Sequence, residues 1–166
     1  VFNSRSASVG ETLTAMKIME CEEAGMTFPE VIEKVEEYIE GMDTYFVLES
    51  LETLRKNGRL TGIKAIAATV LNIKPVMGAT PKGEICQLGQ ARGIKKALEK
   101  MTDAVAKNLK NGSEKVLAIS HCNCLERALS VKQMLEKKLT VKSIIILDTR
   151  GISSMYANDG GVIIAV

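Results

Sequence analysis

The sequence predicts an α/β domain of two layers (α+β), with helices packed on a mixed β-sheet that includes a small β-hairpin. Three observations carry that expectation. Helical and strand periodicities alternate along the chain, but two helices come first, an order that argues against a doubly wound nucleotide fold. "KVLAIS" and "VKSIIIL" flank a helical stretch, forming a strand–helix–strand unit, whereas "IKPVMGA" and "EICQLG" flank the turn "TPKGE" and predict an antiparallel hairpin over about residues 73–88. The chain has 166 residues, 46% of them hydrophobic, enough for one well-buried core and short for two, so residues 1–166 are expected to form a single domain.

Taken in order, the polar run "VFNSRSASVG" feeds a first helix from Glu11 to Ala24, where Leu13, Met16, Ile18 and Met19 recur near helical spacing and Gly25 supplies the stop. Thr27 and Glu30 form a capping box for a second helix running to about Glu40, with Val31, Val35 and Ile39 on one face. "TYFVL" (44–48) is a strand by its β-branched and aromatic content. In "SLETLRKNG", Ser50 caps a short helix that Gly58 ends. A helix over about Thr61–Leu71 and the hairpin follow. Next come a long basic helix from about Gly93 to Leu109, strand 115–120, a helix from about Leu125 to Leu139, strand 141–147 and a final strand, "GGVIIAV", at 160–166.

The least polar long stretch, "GRLTGIKAIAATVLNIKPVMGA" (58–79), invites a transmembrane reading and fails it. Its longest apolar run, from Ala65 to Ile73, is broken by Thr69 and Asn72, and Pro75 stops a helix soon afterwards. No stable membrane insertion is expected. The net charge of +2 conceals two opposite halves: residues 1–58 hold 5 basic and 12 acidic side chains, residues 59–166 hold 17 and 8. A basic half suits phosphate, anionic lipid or an acidic partner. Aromatics make up only 4% with no Trp, which leaves single-strand stacking platforms poorly supplied, so no nucleic acid is expected. Four scattered cysteines without a secretory signal suit reduced thiols in a cytoplasmic protein.

"SHCNC" (120–124) sets the only histidine, His121, beside Cys122 and Cys124. A metal needs about four converging ligands, usually from two clusters, and one cluster exists here, so no metal is expected. A thiol nucleophile needs the imidazole to face the sulfur; His121 with Cys124 keeps a thiol- or metal-dependent hydrolase open as the enzymatic alternative. The plainer account makes both cysteines small buried hydrophobes and Asn123 the cap of the next helix. Eight methionines suit an adaptable apolar pocket as well as an ordinary core. "GRLTG" (58–62) offers Arg59 and flexible backbone to an anion, and "YANDGG" (156–161) is a tight turn or an anion-lining one. Arg92, Lys95 and Lys96 crowd the start of the basic helix, either as a solvated face or as a docking surface that needs no lipid.

The succession "YFVLESLETLRKNGRLTGIKAIAATVLNIKPVMGATPKGEICQLGQARGIKKAL" resembles the DegV family of bacterial fatty-acid-binding proteins, with its "YFVLDTLEYLRKGGRI" pattern, small-residue helix, "LNIKP", glycine-turn hairpin and Arg-led basic helix. "NSRSASVG" looks like the family's crossing segment into its second domain. The resemblance implies the second, tail-holding domain of a two-domain, non-catalytic carrier, with a first domain missing from the N-terminus and a long-chain fatty acid as ligand in place of any cofactor. It further implies an acyl wall of Ile63, Ile66, Ala67, Val70 and Leu71, with Arg59 near the head group or domain junction. Arg92, leading Lys95 and Lys96, would meet a fatty acid kinase. Family members often carry a "GAHTGPG"-like loop whose His faces the carboxylate; this chain has Ala157 at the His position and Asn158 at the Thr, so Asn158 is the expected lipid-binding residue there.

Overall fold

The computed structural model describes residues 1–60 and 72–166. Helix α1 spans Val9–Glu23 and α2 spans Phe28–Glu40, separated by a turn in which Gly25 adopts φ +69°. The capping box forms as expected: the Thr27 backbone N–H and hydroxyl both donate to Glu30 Oε2, at 2.7 and 2.6 Å. Val35 and Ile39 of α2 are buried. In α1 the inward face is Val9, Leu13 and Cys21, while Met16 and Met19 of the expected stripe point outward.

Strand β1 covers Thr44–Val47, the short helix α3 Glu52–Lys56, β2 Ile73–Ala79 and β3 Ile85–Arg92. Ser50 Oγ accepts the Glu52 N–H at 3.1 Å, but Leu51 is the N-cap of α3, so Ser50 sits one residue before the capping position expected for it. Helix α4 spans Ile94–Asn108, β4 Val116–His121, α5 Leu125–Glu136 and β5 Ser143–Asp148. Two elements were not expected from the sequence: a single 3₁₀ turn at Gly112–Glu114 and helix α6 at Gly151–Ala157. Strand β6, Val162–Ala165, is the last element of the chain. The helix expected over Thr61–Leu71 lies outside the described residues.

The six strands run in the order β3-β2-β1-β6-β4-β5. Only β4 and β5 are parallel, as the intervening helix requires; every other pairing is antiparallel. The hairpin is therefore no appendage but one edge of the sheet. Helices cover both faces, making the sheet the middle of three layers instead of one of two. Alternation along the strands divides the core accordingly: Tyr45, Val47, Leu117, Ile119, Val162 and Ile164 meet α4 and α5, whereas Phe46, Leu48, Ala118, Ile163 and Ala165 meet α1, α3 and α6. Full burial of each large apolar side chain is worth roughly 1.5–3 kcal/mol, which is why the doubly covered β1 and β6 are apolar at almost every position.

The N-terminal run does more than feed α1. Ser6 Oγ meets Thr44 Oγ1 at 2.6 Å and Ser8 Oγ meets Ser120 Oγ at 3.0 Å, tying it to β1 and β4.

Candidate functional site

The strand directions gather the chemistry at one end of the sheet. There β1, β3, β4 and β5 finish, β2 and β6 begin, and α4 and α5 present their N-termini. Open α/β sheets place ligands at such ends because the connecting loops, not the ladder, are free to shape a site.

A charged cluster occupies the centre. Lys74 Nζ, at the start of β2, donates to Glu49 Oε2 at 2.5 Å and to the Glu49 carbonyl at 2.9 Å. Arg127, in the first turn of α5, donates through Nη2 to Glu49 Oε1 at 2.9 Å and through Nη1 to the Gly160 carbonyl. Burial works to raise the Glu49 pKa, but the hydrogen bonds from Lys74 and Arg127 prevail and hold it below the usual glutamate value. The carboxyl thus stays ionised and is poorly suited to act as a general acid at neutral pH. None of these three residues was singled out as a site residue from the sequence. The one available signal was Lys74 itself, a cation punctuating the least polar stretch.

Asn158 lies beside this cluster in a left-handed conformation, φ 57°. Its Oδ1 accepts from Thr53 Oγ1 at 3.2 Å and its Nδ2 donates to the carbonyls of Tyr156 and Ser50 at 3.1 and 3.4 Å, so the side chain links the end of α6 to the start of α3. Ala157, at 1% exposure, is packed beneath the turn. Arg59 is exposed, and its Nη1 donates to the Asn57 carbonyl at 2.9 Å. Arg92 ends β3 while Lys95 and Lys96 lie in the first turn of α4; all three are exposed, and none enters an ion pair among the described residues. Ile63, Ile66, Ala67, Val70 and Leu71 lie outside the described residues. The sheet end thus brings together Asn158, Arg92, Lys95 and Lys96, with Arg59 in the connection just beyond α3.

His121 and its neighbouring thiols do not assemble as a nucleophile. His121 is buried; its Nδ1 accepts the Cys124 N–H at 3.3 Å and its Nε2 lies 3.4 Å from Asp148 Oδ1. The Cys122 and Cys124 thiols point to the carbonyls of Ser154 and Gly161. Burial pushes the Cys124 thiol up, opposite to what an activated thiolate requires. Asn123 does not cap α5 either: it takes φ 54° and donates to Asp159 Oδ1 at 2.9 Å, while the imidazole of His121 accepts the N–H at the helix entrance. Among the described residues no group of three or more His, Cys, Asp or Glu side chains is placed to hold a metal.

The methionines divide. Met77 and Met101 are fully buried, whereas Met16 and Met19 line an open groove of about 660 Å³ with Leu13, Tyr38 and Lys115. That groove opens at the opposite end of the sheet and touches none of the expected site residues. On the face that α3 and α6 cover, Phe46, Leu48, Leu54, Met77 and Ile163 are buried together in one apolar core cluster.

Comparison with known proteins identifies one family along the whole chain. The family model described as "Uncharacterised protein, DegV family" matches residues 1–166. A DegV domain-containing protein of Clostridium perfringens is 29% identical over 146 residues, which cover 88% of this chain and 50% of its own; the chain spans about half the length of such curated relatives. Among solved structures, a DegV family protein from Ruminococcus gnavus, refined with vaccenic acid, is 63% identical with a TM-score of 0.97, covering all of this chain and 59% of that one. The fatty acid kinase B3 protein of Streptococcus pneumoniae, loaded with linoleic acid, is 29% identical with a TM-score of 0.86, covering 99% and 58%. No helix among the described residues is long and apolar enough to cross a membrane.

Proposed function

The chain belongs to the DegV family, and from that premise we propose that it forms the tail-holding part of a cytoplasmic fatty-acid carrier, which binds one long-chain fatty acid, performs no chemistry on it and presents it to a fatty acid kinase. The observation that carries the proposal is the 63% identical structure refined with vaccenic acid, whose fold follows this chain from end to end. The geometry at the sheet end agrees with it. Beneath α3 and α6 lies an apolar core cluster, and the connections at that end of the sheet carry the polar Thr53–Asn158 and Glu49–Arg127 contacts, a combination that suits an acyl tail with a polar head.

Energetically, each buried methylene is worth roughly 0.8 kcal/mol, so a 16-carbon tail supplies ~10 kcal/mol before ordering costs. Binding of this kind requires shape and dryness, and no catalytic group. In this reading the head group is completed by a first domain elsewhere in the same protein, with Arg59 and Asn158 at the junction. The wall of Ile63, Ile66, Ala67, Val70 and Leu71 lies along the tail, and Arg92, Lys95 and Lys96 form the surface that meets the kinase.

Native mass spectrometry of the full-length gene product purified from bacteria tests the proposal. A single adduct of roughly 250 to 290 Da, lost on denaturation, is expected from tail burial. A protein that carries no adduct and takes up no added vaccenic acid would overturn it.

A further inference from the structure

Among the described residues the sheet has two edges, and they are unlike. At one, β3 carries Gln87 and Gln90 and a register irregularity where it faces Val76 and Met77, devices that discourage another strand from adding there. At the other, β5 reads Ser143, Ile144, Ile145, Ile146, Leu147, Asp148, four consecutive aliphatic residues in unbroken register with β4. It has no such device. The three isoleucines are only half-buried and Leu147 is 39% exposed, whereas the interior strands β1 and β6 are buried at every position.

Backbone groups alternate in direction along a strand. Thr149, just past β5, donates its N–H to the His121 carbonyl of β4 at 2.8 Å, so Asp148, Ile146 and Ile144 turn their N–H and C=O groups away from β4. Those groups are a template for one more strand. For a second copy of β5 laid antiparallel about a two-fold axis, the residue on the axis fixes every pair. With Ile145 on the axis, Ile144 faces Ile146, Ser143 faces Leu147, and Lys142 lies opposite Asp148 at both ends of the contact. Moving the axis to Ile146 sets Asp148 against Ile144 and Lys142 against Arg150; moving it to Ile144 sets Lys142 against Ile146. Of the three, the axis at Ile145 alone matches opposite charges and apolar side chains together. Lys142 is exposed, and Asp148, although 3.4 Å from His121 Nε2, keeps 66% of its side chain exposed and so is open to a partner.

We infer that β5 is a self-association edge, pairing antiparallel with β5 of a second copy of this chain about a two-fold axis at Ile145. Two six-stranded sheets then join into one. The paired strands run in opposite directions, so the two candidate sites lie at opposite ends of the joined sheet and neither blocks the other. The inference stands on the pattern of the edge and does not depend on the carrier reading.

Sedimentation velocity of the full-length gene product tests it, with amide exchange over 143–148 as a second readout. The wild type is expected to be a dimer, and dilution is expected to release the N–H groups of Ile144 and Ile146 to exchange together. Lys142→Asp sets like charges opposite one another at two places, so the dimer dissociation constant is expected to rise about tenfold. Asp148→Lys is expected to do the same, and the two changes combined should restore wild-type association. Both side chains are exposed, so the fold survives their replacement. A wild type that stays monomeric while 143–148 exchange freely would overturn the inference. A monomer with those amides protected would overturn it as well, because another part of the gene product then covers the edge. A dimer indifferent to both reversals, or one that the double variant fails to restore, would place the interface elsewhere and equally overturn it.

Discussion

Gly160 illustrates how much of the site depends on single positions. Its left-handed backbone disfavours any side chain, and a methyl group there would have to displace the tip of Arg127. Gly160→Ala is expected to cost about 2 kcal/mol or more in denaturant unfolding, through strain and displacement of Arg127. Combined with Arg127→Met the loss should be clearly less than additive, because the second change removes the obstruction. Glu49 also makes stability depend on pH. Its folded pKa lies below the unfolded value, so its contribution is present above the ordinary glutamate range, near pH 4.5, and is lost as pH falls through the lower folded value. Glu49→Gln should therefore flatten the acid limb of the stability profile. At the alkaline extreme, Tyr45 is pushed up to about 12, first by burial, and its hydroxyl bonds Asp43 at 3.2 Å. Its contribution is intact below about pH 10 and lost as pH rises toward 12, so Tyr45→Phe should remove the latest-titrating phenolate from the absorbance curve. At this scale the sequence was least legible. Asn158 was identifiable as a turn residue, but nothing local announces that Arg127, 78 residues from Glu49, shares its carboxylate.

Elements were legible where two signals agreed. Helix α2 combines a capping box with an apolar stripe, and both appear in the structure. Thr27→Ala should cost about 1 kcal/mol. Because α2 packs chiefly on α1, the loss should show as faster amide exchange in the first turn of α2 with the sheet unchanged. Helix α6 carried no such agreement: only Ala157 of its seven residues is buried, and Ile152 and Met155 face solvent at 69% and 49% exposure, so no periodic stripe marks it. For α1 the apolar spacing was real, but the face chosen by packing was Val9, Leu13 and Cys21, leaving Met16 and Met19 on the groove. Periodicity locates a helix; the neighbour decides which residues of it are core.

Across the whole molecule, topology gathers scattered stretches of sequence, and most of the candidate site residues, at one end of the sheet. The parallel β4–β5 pair, the hairpin edge and the late strand β6 between β1 and β4 could be foreseen only in part, since strand order depends on long-range pairing that local patterns do not encode. That order brings Arg92, Lys95 and Lys96 to the same end as Asn158 while leaving them exposed, and it explains why a chain with an acidic first third can present basic residues at the end that holds the candidate site. Exposed charges that stabilise nothing locally act chiefly on encounter rates with a partner of opposite sign. Reversing all three to Glu should change folding stability by less than about 0.5 kcal/mol per substitution and leave the bound fatty acid in place. In the proposed carrier, transfer to a fatty acid kinase should nonetheless slow by about tenfold or more, and the wild-type rate should itself fall as salt is raised, since screening weakens steering between exposed charges. Phosphorylation at an undiminished rate by the triple variant would move the docking surface away from α4. Loss of the fatty acid from that variant would instead make the three cations part of the ligand site.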